Sequence, residues 1–440
     1  MHLIQRSVMI VSNNGKLTNY MKAEMPHERF YPVYVVTNAA QARQTELRTP
    51  VDIVIINTPL SDEFGTKLAE DLSRECAVAL IVSPELTERV TNKLEPYGVV
   101  TLPSKFYKTV FSQKTGFFVR LEEDGYEEPF WAEDGPELLD LSITNYCERG
   151  CDFCYRQANP LGRHMTLDDI ESVVKQAKDA GVLQIALGGG NPNQHPQFVE
   201  VLRIVRENGI VPSYTSNCEG LTDDILKATS RYCGAMALSL YPPYDRYEEI
   251  AERIRDFGIK LNLHVILKSD TIDLLTSWFK NPPSFFSYIN AVIVLNYKPI
   301  VGTDRKLMVR DEERLKAFYE SASACKAVKV GFDSCCVPGI VTWMKVNPAL
   351  IDSCEAARFS AFVSEDMRMY PCSFMANTEQ YGDLRRESLL DIWQKHPAFA
   401  KHREAIRHNS CGGCAHQSVC KGGCVFMPEI NQCNTFLKGL

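Results

Sequence analysis

No apolar run in this 440-residue chain reaches membrane-spanning length. Its start, MHLIQRSVMIVSNN, lacks the n-region, apolar h-region and small-residue cleavage site of a secretory signal. These absences lead to the expectation of a cytoplasmic protein with no membrane partner. Excess positive charge is missing as well: 48 Lys+Arg against 55 Asp+Glu leave a net charge of -7. That is no footprint for neutralising phosphates, so nucleic acid is not expected as a partner. What the chain does not lack is cysteine. It has 16, and in a reducing compartment so many thiols are better explained by metal than by disulfides. Cys335, Cys336, Cys354, Cys372, Cys411, Cys414, Cys420, Cys424 and Cys433 all fall in the last quarter of the chain. At 45% hydrophobic and 23% charged residues, the chain is long enough for two or three domains with full-sized cores.

Residues 7 to about 104 alternate short apolar runs (SVMIVSN, YPVYVVT, VDIVIINTPL, AVALIVSP, VVTLPS) with amphipathic stretches. Five buried strands separated by helices predict a doubly wound, flavodoxin-like parallel sheet over residues 1–105. Its strand order and patterning resemble the receiver domain of bacterial response regulators, with Ser83 and Lys105 where that family carries its hydroxyl and lysine. The acids are absent: Ser12 and Asn13 stand for the acidic pair after the first strand, and Asn57 for the phosphoacceptor aspartate. An amide is neither a charged Mg²⁺ ligand nor a phosphoacceptor. The resemblance therefore implies a pseudo-receiver used for docking or dimerisation, against the alternative of a generic α/β domain with no switch role. A cobalamin-binding domain is discounted because this half has no Asp-x-His-x-x-Gly. Residues 106–136, aromatic, acidic and turn-rich, read as a linker plus a hairpin.

From 137 the units lengthen. Strand candidates LLDLSITN, LQIALGGG, VPSYTSN, AMALSLY, KLNLHVIL and AVIVLNYKP alternate with helices such as TLDDIESVVKQAKDAG, and Gly181, Gly209 and Gly258 stop three of them. Six β/α units over 137–305 are too few for a closed eight-fold barrel and predict an open, partial TIM barrel of (β/α)6 form, with ligands at the carboxyl ends of its strands. A loop-rich metal-binding domain over 306–440 completes the expected α/β architecture.

Directly after the first barrel strand, YCERGCDFCYR places Cys147, Cys151 and Cys154 in one loop. Thiolates suit zinc or iron-sulfur; a structural zinc wants four closed ligands, whereas three cysteines leave one iron of a 4Fe-4S cluster open. With this spacing, residues about 137–300 resemble a radical S-adenosylmethionine (SAM) enzyme. The resemblance implies that the open iron chelates SAM and that the cluster's electron cleaves the sulfonium to a 5'-deoxyadenosyl radical. It further implies that Phe153 lies near adenine and that Gly188, Gly189 and Gly190, with Asn191 in place of the usual glutamate, meet the methionine moiety. Ser216, Asn217 and Ser239 fall where the family places ribose and carboxylate contacts; Asn262, His264 and Asn296 are further candidates. Each of these polar residues also has the reading of a hydrogen-bonded side chain of the barrel interior.

At the far end, Cys411-x2-Cys414-x5-Cys420-x3-Cys424 followed by Cys433, with Cys354 and Cys372 before it, resembles the SPASM extension, which carries two auxiliary 4Fe-4S clusters. Carried across, Cys411, Cys414, Cys420 and Cys433 hold one cluster. Cys354, Cys372 and Cys424 hold the other, with Cys335 or Cys336 as the fourth ligand. Met367 stands where the family has a glycine. Zinc ribbons are the alternative. Cys76, Cys218, Cys233 and Cys325 are left as small core hydrophobes.

The resemblance implies three 4Fe-4S clusters, SAM, and a reductant such as flavodoxin or ferredoxin. It points to a radical SAM/SPASM enzyme that cross-links or oxidises a ribosomally made peptide or protein. A sulfatase-maturing reading drops because Ser373 replaces the family's aspartate base; no catalytic base is assigned. A radical SAM enzyme acting on a small molecule, and a non-catalytic iron-sulfur sensor coupled to the receiver-like half, are the rivals. The receiver-like half takes the place of the usual peptide-recognition module and is expected to recruit the substrate or a partner.

Overall fold

The structure, a computed structural model, describes residues 6–27, 30–58, 60–63, 65–72, 76–81, 99–103, 107–113, 118–122, 129–299, 305–346, 351–409 and 411–437. The chain divides into two compact units, Met1–Pro129 and Phe130–Leu440.

In the first unit the β-branched runs become strands β1 (Arg6–Val11), β2 (Phe30–Val36), β3 (Ile53–Asn57) and β4 (Ala77–Ile81). They lie parallel in the order β2-β1-β3-β4, the first four places of a doubly wound sheet. Met9, Ile10 and Val11 are fully buried, as the central strand of a sheet covered on both faces requires. Asn14 and Asn38 cap the helices Gly15–Glu24 and Ala39–Arg48. The fifth parallel strand expected at VVTLP is corrected: β5 (Val99–Pro103) pairs antiparallel with β6 (Tyr107–Ser112), which pairs with β7 (Phe118–Glu122) in a separate three-stranded sheet. A partner only a few residues along the chain needs a far shorter loop closure than a crossover, and the local pairing wins. Ser83 and Lys105 lie outside the described residues. At the end of β3, buried Asn57 donates from Nδ2 to Ser12 Oγ at 3.2 Å, and Ser12 Oγ accepts from the Asn14 N–H at 3.1 Å. A neutral amide and hydroxyl thus bond to each other at the end of the parallel strands.

The second unit holds the barrel sheet. Strands β8 (Leu138–Thr144), β9 (Gln184–Gly189), β10 (Val211–Ser216), β11 (Ala235–Ser239), β12 (Leu261–Leu267) and β13 (Ala291–Asn296) lie side by side in chain order, all parallel. Helices Leu167–Asp179, Phe198–Glu207, Asp223–Tyr232, Tyr247–Asp256 and Ile272–Lys280 connect them. Thr166 and Thr222 cap two of these helices. Along β8, Leu139, Leu141 and Ile143 are fully buried on one side while Asp140, Ser142 and Thr144 turn to the other, the side that carries the site.

The sheet is larger than the six strands expected. β14 (Lys329–Phe332) joins parallel to β13, and β15 (Ser360–Val363) joins parallel to β8, followed by antiparallel β16 (Arg368–Tyr370) and β17 (Gly382–Asp383). Eight parallel strands therefore run from β14 to β15 without closing. All four added strands come from the region read as loop-rich, two of them parallel. At four residues each, KVGF and SAFV are too short to display a period.

Residues Phe130–Pro136, read as the end of a linker, are strapped to this unit. Trp393 Nε1 donates to the Ala132 carbonyl at 2.6 Å, and the Arg403 guanidinium lies 3.4 Å over the Trp131 ring and 4.7 Å over that of Trp393. Trp393 is fully buried. Trp393→Ala leaves a cavity and an unpaired buried carbonyl, and is expected to cost about 3–5 kcal/mol; urea unfolding followed by far-UV circular dichroism checks it.

Candidate active site

Beyond Thr144 the chain leaves β8 and enters the loop with Cys147, Cys151 and Cys154. Several backbone bonds shape it. The Gly190 N–H donates to Thr144 O at 2.7 Å, the Asn191 N–H to Tyr146 O at 2.9 Å, and the Cys147 N–H to Asn159 O at 3.1 Å. The Tyr146 N–H donates to Thr144 Oγ1 at 2.9 Å. The glycines of β9 make this docking possible. A Cβ on Gly189 would stand 2.0 Å from Thr144 O and one on Gly190 2.0 Å from Tyr146 O, whereas a Cβ on Gly188 would meet open space. So two of the three glycines admit the cysteine loop itself, and only Gly188 faces room for a bound molecule.

The polar candidates at the ends of β9 and β10 form one knot. Asn191 is buried; its Nδ2 donates to Glu219 O at 2.9 Å and its Oδ1 accepts from the Asn217 N–H at 3.2 Å. Asn217 Nδ2 donates to Cys147 Sγ at 3.4 Å, and Ser216 Oγ accepts from the Cys218 N–H at 3.0 Å. The knot ties the strand ends to the first cysteine. Ser239 lies at the end of β11, where its carbonyl accepts from Tyr247 Oη at 2.8 Å. Phe153 sits between the Lys268 ammonium, 4.4 Å from its ring centre, and the Tyr241 ring at 6.1 Å. Asn262 Oδ1 accepts from Asn290, His264 Nδ1 meets Thr215 Oγ1 at 3.2 Å, and burial pushes the His264 imidazole down to about 4. Asn296 is turned away from these, donating to the carbonyls of Cys335 and Ile430.

All sixteen cysteines are free. Cys411, Cys414, Cys420 and Cys433 line one cavity of about 210 Å³. Cys335, Cys354, Cys372 and Cys424 line a second, tight one of about 20 Å³, in which Cys335 and Cys424 hydrogen-bond to each other. Cys336 is fully buried elsewhere, its Sγ 3.8 Å from Val294 O. Burial pushes the Cys354 thiol up to about 12 and those of Cys372 and Cys420 to about 11. Neutral thiols pack against each other without repulsion; as metal ligands they lose their protons. Four soft donors facing one space are the donor set an iron-sulfur cube takes, and three with a fourth place open are that of the loop. Among the described residues no three His, Cys, Asp or Glu side chains converge on a single-ion position.

Sequence reasoning missed a buried ion pair that ties the loop to the C-terminal segment. Arg156 Nη2 and Ser142 Oγ both donate to Glu365 Oε2, at 2.8 and 2.7 Å. Glu365 sits in the turn between β15 and β16, which Met367 closes with a left-handed φ of +69° where the resembled family has glycine. The sequence position of Arg156, two after Cys154, was the available signal. Asp140, also on the inner side of β8, is held up at about 6, first by burial and then by the nearby Glu355 charge. A carboxyl raised above the unfolded value of about 3.9 favours the folded state while protonated, and that contribution is lost as pH rises from about 4 through about 6. Asp140→Asn removes the loss. The variant's stability relative to the parent is expected to climb between pH 4 and 6 and level off above, by on the order of 1–3 kcal/mol; urea midpoints at pH 4.5, 6 and 8 test this.

A family model for the radical SAM superfamily matches residues 141–257, and one for the SPASM iron-sulfur cluster-binding domain matches residues 354–416. The chain is 21% identical over 325 residues to the AdoMet-dependent heme synthase of Methanosarcina barkeri, covering 66% of this chain and 91% of that protein. It is 22% identical over 310 residues to the PqqA peptide cyclase of Xanthomonas axonopodis pv. citri, covering 64% and 81%. Among solved structures, Streptococcus suis SuiB, bound to S-adenosylmethionine or to its precursor peptide SuiA, superposes with a TM-score of 0.59 at 17% identity over 77% of this chain and 98% of SuiB. Among the described residues no helix is long and apolar enough to cross a membrane. A radical SAM domain followed by a SPASM domain implies 4Fe-4S clusters and S-adenosylmethionine, and the chain is an enzyme that carries both domains.

Proposed function

We propose that this enzyme modifies a ribosomally made peptide or protein, cross-linking or oxidising it, with three 4Fe-4S clusters. The observation that carries the reading is the sorting of eleven cysteines into one open set of three and two cavities of four. Cys147, Cys151 and Cys154 hold the SAM-binding cluster; Cys411, Cys414, Cys420 and Cys433 hold one auxiliary cluster, and Cys335, Cys354, Cys372 and Cys424 the other. Facing the second cavity as it does, Cys335 is preferred over Cys336. When bound, the open cluster and SAM supply a 5'-deoxyadenosyl radical that abstracts hydrogen from a substrate carbon. The chain's own residues prepare the place. Gly188 leaves room for the methionine moiety, Phe153 is held for adenine by Lys268 and Tyr241, and the Asn217 amide on Cys147 Sγ steadies a thiolate. Asn191 still has one free lone pair on Oδ1 to offer an ammonium, and Ser216 and Ser239 end the next two strands of the sheet.

Peptide as substrate is supported by the PqqA peptide cyclase relative and by the fold shared with SuiB, which binds a precursor peptide. A small-molecule substrate is the second reading, favoured by the heme synthase, of which this chain covers 91%. The N-terminal unit, with Ser12 and Asn57 bonded in place of acids, serves as a pseudo-receiver that recruits the substrate or a partner. A flavodoxin or ferredoxin supplies electrons in a cytoplasmic setting. Anaerobic reconstitution is expected to give about twelve irons, four per cluster, with a low-temperature EPR signal that changes on adding SAM. Mass spectrometry of candidate peptides and free metabolites incubated with dithionite and SAM then decides the substrate: product from a metabolite and none from any peptide favours the second reading.

A further inference from the structure

Among the described residues lining the tight cavity of Cys335, Cys354, Cys372 and Cys424, one carries a full charge. Lys298 follows β13 by two residues and is buried, with 6% of its side chain exposed. Its Nζ donates to Asp333 Oδ2 at 3.1 Å and lies 4.0 Å over the Phe374 ring. Phe374 is stacked in turn on Tyr155, with ring centres 4.5 Å apart, and Asp333 is fixed by the Asn296 N–H on Oδ1 at 3.2 Å. The ammonium therefore cannot swing away. Lys298 lines the cavity and Asp333 does not, so the positive end of the pair is the nearer one. His402, the other basic side chain of the lining, is held neutral by burial, its imidazole down at about 4. A lysine in a low-dielectric wall is costly unless paired, and its field there is weakly screened.

We propose that Lys298 is a positioning charge that sets the reduction potential of the auxiliary cluster held by Cys335, Cys354, Cys372 and Cys424, favouring the form that carries one more electron. The proposal rests on the cluster assignment made above. Reduction adds one negative charge to the cluster with no change in its ligands, and a fixed cation at the wall stabilises that charge; the electron comes from the donor used to reduce it, dithionite in the test. Neither the identity of the substrate nor the fate of the adenosyl radical enters.

The test is an EPR-monitored potentiometric titration of the full chain reconstituted without oxygen, in a background with Cys147, Cys151 and Cys154 replaced by alanine so that the two auxiliary clusters are read alone. Lys298→Met is expected to lower one of the two midpoints by at least tenfold in the reduction equilibrium, about 59 mV for one electron. Asp333→Asn, which leaves the ammonium unopposed, raises the same midpoint, and Lys298→Arg leaves it near its starting value. Should Lys298→Met lose iron through the stranded Asp333 carboxylate, the double variant Lys298→Met/Asp333→Asn removes both charges and shows a smaller shift in the same downward direction, because the nearer charge outweighs the farther one. Full iron with both midpoints unmoved overturns the proposal alone. Loss of iron from the single and the double variant also overturns it, making Lys298 a folding element. A parent that never takes up the auxiliary irons fails the cluster assignment itself.

Discussion

Cys151→Ala is expected to abolish formation of 5'-deoxyadenosine from SAM under dithionite, while Cys414→Ala keeps that cleavage and loses all modified substrate. The difference follows from which set each thiol belongs to. In the proposed assignment Cys151 is one of three ligands on a loop with no local fourth, so its loss removes a corner the cluster has nothing to replace with. Cys414 lines the separate cavity of about 210 Å³, together with Cys411, Cys420 and Cys433. Among the described residues, the hydrogen bonds of the knot of Asn191, Ser216 and Asn217 run to Glu219, Cys218 and Cys147, and the lining of that cavity includes none of the three. Chromatography of the nucleoside product and mass spectrometry of the substrate, run on the same samples, separate the two functions. Equal and complete loss of both products from both variants contradicts the division of labour.

Gly190→Ala should empty the same loop from the other side. The new methyl would stand 2.0 Å from the Tyr146 carbonyl oxygen and 2.6 Å from its carbon, and backbone there has no rotamer to yield with. Tyr146 precedes Cys147, so displacing it moves the first of the three proposed ligands. The expected result is a destabilisation of about 1–3 kcal/mol or more and a fall of about four in bound iron, one cluster's worth. Gly188→Ala is the control, because its methyl meets no protein atom. It should keep the iron and the stability of the parent yet bind SAM at least tenfold more weakly, read by equilibrium dialysis. Iron retained in Gly190→Ala would mean that the loop can dock without the close approach.

The barrel was legible because its units are long and regular. Segments such as LLDLSITN and LQIALGGG become β8 and β9, and TLDDIESVVKQAKDAG becomes the helix Leu167–Asp179 behind its Thr166 cap. Three helices stop at Gly181, Gly209 and Gly258, each with positive φ. The short strands were not legible. β14 and β15 owe their place to the sheet edge they meet, and a four-residue run has no period of its own. VVTLP reads equally well as a parallel core strand or a hairpin partner, and only the nearness of β6 decides it.

The candidate site divides in the same way. Cysteine spacing is written in the chain, since a loop that wraps a cluster must present thiols a few residues apart, and by itself it determined the three-cysteine loop and the crowded C-terminus. Which of Cys335 and Cys336 faces the second cavity is a matter of which side of one short turn each occupies. The roles of Gly189 and Gly190 as seats for the cysteine loop, the Arg156–Glu365 pair across 209 residues, and the approach of Lys298 to cysteines far along the chain are all long-range contacts. Local sequence fixes periods, caps and ligand spacing because those depend on neighbours. Burial, charge pairing and close backbone approach depend on what distant segments bring, and only the tertiary structure supplies that.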